Sequence, residues 1–321
     1  HRCLAIAVLL RACSAIPQSR GMGNLPANFD LRRSLDGVDL AYEYDTPAAG
    51  VISEGTKTEW VSLGQIILGD APGDNFGYVA LSFDGTRLIG GAPYNDAATP
   101  GSNRGCAKVY QWNSDGRNWT QYGNDIDGDL TNEQSARTVD ISHDGNLALV
   151  AAPYRDSGRV TVYAAPADAD GTWTVVGEPI TGTPDEEFGS SAALSGDGGV
   201  VASGAPLKDL VRVHAWNGSA WEQRGGDLQG TLGKKFGQTV KLSTDGSVLA
   251  VGEPEASVGS SASVGKVHVF EWGEQATEWT ARGAALEGTR PELSAQGMFG
   301  TGLDMSGDGS RIVGAAPYAS R

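Results

Sequence analysis

With 321 residues, 40% of them hydrophobic and 20% charged, the chain carries enough apolar material for a large buried core and is not a disordered one. Its net charge of −15 excludes electrostatic attraction to DNA, RNA or an anionic membrane surface, because those contacts are made by clustered Lys and Arg. The 46 glycines follow no collagen period, and together with 14 prolines they predict many short strands joined by tight turns.

At the start of the chain Arg2 precedes an apolar run, residues 3–10, followed by the small residues Cys13-Ser14-Ala15. Eight apolar residues are too few to span a bilayer but suit a secretory leader. Residues 1–15 are therefore expected to be a signal peptide, incomplete at its N-terminus, and the protein to be secreted or extracellular. Nothing later resembles a membrane span, so no membrane insertion is expected. Cys3 and Cys13 fall in the leader, which leaves Cys106 alone; a lone strand cysteine reads as a small buried hydrophobe, and no disulfide staples the fold.

Residues 16–37 read as a linker, residues 38–317 as a repeat domain, and 318–321 as its C-terminal end. Asp-Gly pairs recur at Asp84, Asp144, Asp197, Asp245 and Asp308, each followed nine residues later by Pro93, Pro153, Pro206, Pro254 or Pro317. That offset is constant, while the units themselves are spaced by 48 to 63 residues. A fixed interior with elastic spacing means rigid secondary structure separated by loops. A second pattern, W-x3-G, begins at Trp60, Trp119, Trp173, Trp221 and Trp279.

Each unit predicts four strands. The first leads into the Asp-Gly turn, which is expected to supply the positive φ angles of a tight hairpin. The second ends at the Pro, which cannot donate to a ladder. The third alternates apolar and polar residues, as in Val267-His268-Val269, and the fourth begins at the Trp. Four antiparallel strands per unit predict an all-β fold, a β-propeller of four-stranded blades. Complete units begin near 76, 136, 188 and 236; residues 299–317 supply strands one and two, and residues 38–68 strands three and four. The two pieces together make a fifth blade that closes the ring; the alternative is a fragment of a larger propeller, for example a seven-bladed one.

The pairs Phe76-Gly77, Phe188-Gly189, Phe236-Gly237 and Phe299-Gly300, with Gly91-Ala92-Pro93, Gly204-Ala205-Pro206 and Ala315-Ala316-Pro317, resemble FG-GAP repeats, known from the propeller of integrin α-chains. One unit departs, with Ser135-Ala136-Arg137 in place of Phe-Gly. The resemblance implies an extracellular, non-enzymatic module for protein binding or cell adhesion. The calcium loops of that family are missing: one Asp per turn cannot supply the six to eight oxygens that the ion takes, so no cofactor is expected. The only denser acidic cluster is Asp125, Asp127 and Asp129, a weak metal candidate whose plainer reading is a solvated loop.

The four histidines show no metal spacing, and no Ser-His-Asp signature is present. The strand positions able to line a central channel read as Val, Ala, Leu, Ser and Gly, which argues against an enzyme; a five-bladed glycosidase with paired carboxylates is the remaining catalytic alternative. Asn118 and Asn217 begin glycosylation sequons, both in the three-to-four hairpins. That leaves the face of the two-to-three and inter-blade loops bare. A ligand face is expected there, led by Tyr94, Tyr154 and Tyr318 with Asp96, Asp156 and Asp209, because loops that vary on a fixed scaffold carry binding. The expected partner is an extracellular protein or, in the lectin alternative, a glycan; a nucleic acid is excluded.

Overall fold

The computed structural model describes residues 9–10, 61–97, 99–288 and 297–318. The chain divides into two compact units, residues 9–62 and the remainder. In the first, β1 (Leu9–Leu10) pairs antiparallel with β2 (Val61–Ser62).

The second unit holds the repeats. Blade 1 is built from β3 (Tyr78–Leu81), β4 (Arg87–Ala92), β5 (Cys106–Asn113), β6 (Asn118–Gln121) and β7 (Ile126–Asp127). Blade 2 follows with β8 (Thr138–Ile141), β9 (Leu147–Ala152), β10 (Arg159–Ala164), β11 (Thr174–Val175) and β12 (Ile180–Thr181). Blade 3 has β13 (Ser191–Leu194), β14 (Val200–Ala205), β15 (Leu210–Trp216), β16 (Trp221–Gln223) and β17 (Leu228–Gln229). Blade 4 has β18 (Thr239–Leu242), β19 (Val248–Glu253), β20 (Lys266–Glu271), β21 (Thr280–Ala281) and β22 (Leu286–Glu287). A last hairpin, β23 (Gly302–Met305) with β24 (Ile312–Ala315), repeats only strands one and two. The inner strands β3, β8, β13, β18 and β23 pack side by side in that order.

The expected antiparallel blades are present, with one refinement. The fourth strand comes in two short pieces, both paired to strand three, as β6 and β7 are to β5. The break falls at the repeat glycine, whose φ is +78° at Gly123 and +68° at Gly177. A side chain there would be strained by that φ, and at Gly123 a Cβ would lie 2.5 Å from Trp173 Nε1. The repeated tryptophans sit on the blade before their own. Trp173 Nε1 donates to the Tyr122 carbonyl at 3.0 Å, Trp221 to Val176 at 2.9 Å and Trp279 to Arg224 at 2.9 Å. Trp119 reaches the Leu63 carbonyl at 3.0 Å, so residues 63–65 hold the same place ahead of blade 1.

The hairpin between strands one and two also differs from expectation. Only its glycine is left-handed, as at Gly85 with φ +69°; the Asp acts through its side chain instead. Asp84 Oδ1 accepts from Ser82 Oγ at 2.7 Å and from the Thr86 N–H at 2.9 Å. Asp144, Asp197, Asp245 and Asp308 do the same in their turns. Main-chain bonds link neighbouring tips, from Phe83 to His143 at 3.0 Å, His143 to Gly196 at 2.8 Å and Asp197 to Thr244 at 3.0 Å.

Strand two is the buried heart of each blade, with Ile89, Leu149, Val201 and Leu249 fully enclosed. The core lies between blades: Leu149 and Val160 of blade 2 pack with Phe188, Ala192 and Val201 of blade 3. Each such large side chain contributes about 1.5–3 kcal/mol of burial. In the departing unit Ser135 takes the place of the Phe, and Ala136 is held at φ +65° where its counterpart Gly189 has +93°. Of the segment expected to complete a fifth blade, residues 38–68, residues 38–60 lie outside the described residues; among those described, β24 pairs only with β23. No helix among the described residues is long and apolar enough to cross a membrane.

Candidate functional site

The inner strands have two ends. At one, the linked turn tips crowd together: a Cβ on Gly196 would strike the His143 ring at 2.6 Å. At the other, where each inner strand begins and each second strand ends, a recess of about 570 Å³ opens across blades 1 to 4.

Its charged groups come from separate blades. Arg137 stands at the entry of β8, Glu187 shortly before β13, Lys235 shortly before β18, and Lys241 within β18. The Arg137 guanidinium lies 5.3 Å from the Tyr154 ring centroid and donates to Gln134 Oε1 at 3.3 Å. No carboxylate pairs with it among the described residues. Lys235 approaches Glu255 at 3.5 Å and Lys241 approaches Asp304 at 3.9 Å, with the lysine side chains 44% and 41% exposed. These are loose surface pairs that leave both ammonium groups open to a ligand. The Glu187 residue has φ +52°, and its carbonyl accepts from Ser190 Oγ at 2.8 Å. Its carboxylate takes no hydrogen bond among the described residues.

The serine and threonine hydroxyls of the recess are committed. Thr138 Oγ1 donates to the Ser190 carbonyl at 3.1 Å, Ser191 Oγ to Gly237 at 2.7 Å, and Thr239 Oγ1 to Thr301 at 2.7 Å. Each ties one inner strand to the next blade. Asp140, two residues beyond Thr138, does so with a charge: its Oδ2 accepts the Leu194 N–H at 2.9 Å. Burial pushes its carboxyl above the usual carboxylate range, against the pull of that hydrogen bond.

The inner strands were expected to present only Val, Ala, Leu, Ser and Gly. That expectation is corrected here: the equivalent third positions are Ala80, Asp140, Ala193, Lys241 and Asp304. Hydrophobic alternation marks a strand but does not say which of its polar residues sit beside the axis, so these charges were passed over.

Of the residues expected to bind ligand, Tyr154 lines the recess, 41% exposed. Tyr94 is half-buried, its N–H donating to the Asp74 carbonyl at 3.2 Å, and Tyr318 is exposed; neither lines it. Asp96 folds its own loop, accepting from the N–H groups of Gly101 and Asn103 at 2.7 and 3.0 Å, which hold its carboxyl below the usual range. Asp209 is buried and accepts from the N–H groups of Gly233, Lys234 and Phe236. Asp156 is an exposed turn residue at φ +45°. Asn118 is half-buried at the start of β6, and Asn217 is exposed in the turn before β16.

The acidic triplet is split. Asp125 and Asp127 converge on Cys106, within 4.8 Å, whereas Asp129 is drawn off by Arg155 at 3.0 Å and Arg159 at 3.1 Å. Lys108 neutralises Asp125 at 3.2 Å, and burial pushes the Cys106 thiol far up. A protonated thiol beside an ammonium is a poor metal ligand, so this set does not fit a cation. Arg137, Glu187, Lys235 and Lys241 were missed from sequence. One of them carried a sign: Arg137 belongs to the single unit that departs from the repeat.

No protein-family model matches the chain, and no curated protein matches it. Its structure is similar to that of a protein from Lactobacillus plantarum, with a TM-score of 0.55 at 16% identity over 80% of this chain and 67% of that one. The fold is a β-propeller. Weaker likenesses are to the periplasmic gluconolactonase of Pseudomonas aeruginosa (TM-score 0.45, 15% identity, 82% of this chain and 83% of that one) and to a proposed 6-phosphogluconolactonase from Bacteroides uniformis (TM-score 0.45, 13% identity, 80% and 81%).

These findings correct the FG-GAP resemblance. No such family model matches the chain, so the likeness rests on short recurring elements alone. The Phe-Gly and Ala-Pro elements are packing and strand-end devices that a propeller arrives at for physical reasons: Phe188 fills the seam between blades 2 and 3, and Pro206 ends a strand. The integrin-like and cell-adhesion expectations fall with the resemblance. The expectation that the chain is no enzyme is withdrawn as well, since it rested on inner strands without charge, and these carry Asp140, Lys241 and Asp304.

Proposed function

We propose that this propeller is a hydrolase that cleaves an ester or lactone of a small organic anion in the recess. The observation that carries the reading is that Arg137 from blade 2, Glu187 from blade 3 and Lys235 and Lys241 from blade 4 line one recess, in a chain whose net charge is −15. A cationic pocket on an acidic protein concentrates anions locally and repels other acidic macromolecules. Arg137 suits a carboxylate by its planar fork, and the lysines supply point charge to an oxyanion. Glu187, whose carboxylate takes no hydrogen bond among the described residues, lines the same recess and would take a proton from water. The water oxygen then bonds the acyl carbon, the ester C–O bond breaks, and the proton passes to the leaving alkoxide. The same reading places the protein outside the cytoplasm, on the strength of the apolar run at 3–10 ahead of Cys13-Ser14-Ala15.

The test is proton release from a panel of carboxylate-bearing aryl esters and aldonolactones at neutral pH. Turnover that falls about 100-fold in Glu187→Gln, with KM little changed, supports the assignment. Arg137→Gln is expected to raise KM instead. Absence of turnover on every member of the panel by the folded protein overturns it.

A further inference from the structure

We infer that the anion taken by the recess has an apolar body, an aryl or alkyl carboxylate or its lactone, and is not a polyhydroxylated sugar acid. The inference rests on the anion-binding reading above and names its substrate class.

Two observations carry it. The first is the uncharged part of the lining. Tyr78 and Val79 from blade 1, Tyr154 from blade 2 and Leu207 from blade 3 are 39%, 45%, 41% and 55% exposed. Isolated exposed apolar residues are ordinary, but four gathered in one concavity mark a surface awaiting apolar cover. The second is the state of the polar lining. Thr138, Ser190, Ser191 and Thr239 each give their hydroxyl proton to a main-chain carbonyl. A polyol entering the recess would leave water for a wall whose neutral side-chain donors are down to Gln238 and the two tyrosine hydroxyls, fewer than its own hydroxyls need, and a site rejects a ligand whose polar groups it cannot pair. An aromatic or aliphatic body loses nothing of that kind. It gains the faces of Tyr78 and Tyr154, while its carboxylate meets Arg137, which already lies over the Tyr154 ring.

Calorimetry on the folded protein with 3-phenylpropionate, gluconate and 6-phosphogluconate separates the cases. Phenylpropionate is expected to bind at least about tenfold more tightly than gluconate. Leu207→Ser, a surface change, is expected to weaken phenylpropionate about fivefold and to leave gluconate unmoved. Tighter binding of either sugar acid, with Leu207→Ser silent, overturns the inference while the anion-binding reading stands. Binding of none of the three overturns both.

Discussion

The two ends of the inner strands obey different rules. At the turn tips every unit does the same thing: a serine hydroxyl and a following N–H are both received by one aspartate, and the tips are linked by main-chain bonds. At the recess end no two blades agree. Blade 2 offers Arg137, blade 3 Glu187 and Leu207, and blade 4 Lys235 and Lys241. The lesson lies in where polar groups remain unspent. Five aspartates at the tips are acidic and abundant yet chemically occupied, whereas the recess holds few charges and keeps them open. In a repeat protein, recurrence marks what the scaffold needs, and what breaks the recurrence marks what the scaffold is for.

The contrast can be broken most severely in the repeated framework. Trp173→Ala removes a buried ring and the bond that clasps blade 2 to blade 1; a loss of about 3–5 kcal/mol is expected in urea unfolding. Trp173→Phe, which keeps most of the ring but not the donor, is expected to cost about 1 kcal/mol. Asp144→Ala frees Ser142 Oγ and the Asn146 N–H, for a loss of about 1–2 kcal/mol, whereas an aspartate playing no part in its turn would leave stability unchanged.

Titration sharpens the same comparison because its sign differs between the turn-tip carboxylates and Asp140. Hydrogen bonds hold the Asp84 carboxyl down, most strongly through the Thr86 N–H, and the Asp308 carboxyl down to about 2, most strongly through Ser306 Oγ. Their contribution is present above the ordinary value of 3.8 and is lost as pH falls toward the folded value. Asp140 runs the other way. Burial raises its carboxyl, so stability falls as pH rises from 3.8 to the folded value. Asp140→Asn still accepts from Leu194 without the charge; it is expected to melt higher than the parent at neutral pH, with the gap closing near pH ~4. A gap that grows on acidification would reverse the assignment. The smallest effect belongs to the recess: Tyr154→Ala is expected to change stability by no more than about 0.5 kcal/mol.

Much of the fold was legible because a propeller repeats its physical problems. A constant nine residues from Asp to Pro is a turn plus a strand, and no other element keeps that length in five copies. The tryptophan was legible as a repeated residue but not as a clasp, because its partner is the carbonyl before a glycine some fifty residues earlier. The site was far less legible. Arg137, Glu187, Lys235 and Lys241 share no motif, and only the ring geometry brings them together. Tyr154, which follows a repeat Pro, lines the recess, whereas Tyr94 and Tyr318 share that position in their units and lie elsewhere, so position in the unit does not give position at the recess. Asp96 and Asp209 are engaged by main-chain amides, as acidic loop residues commonly are.

The tryptophan clasp also sets an order of assembly. Each indole reaches back to the blade that precedes it in the chain, so a blade leaving the ribosome has its outer edge loose until the next tryptophan has been synthesised. Every seam is thus fastened by a residue of the following blade, and a chain cut after any blade would leave that blade's outer edge without its indole.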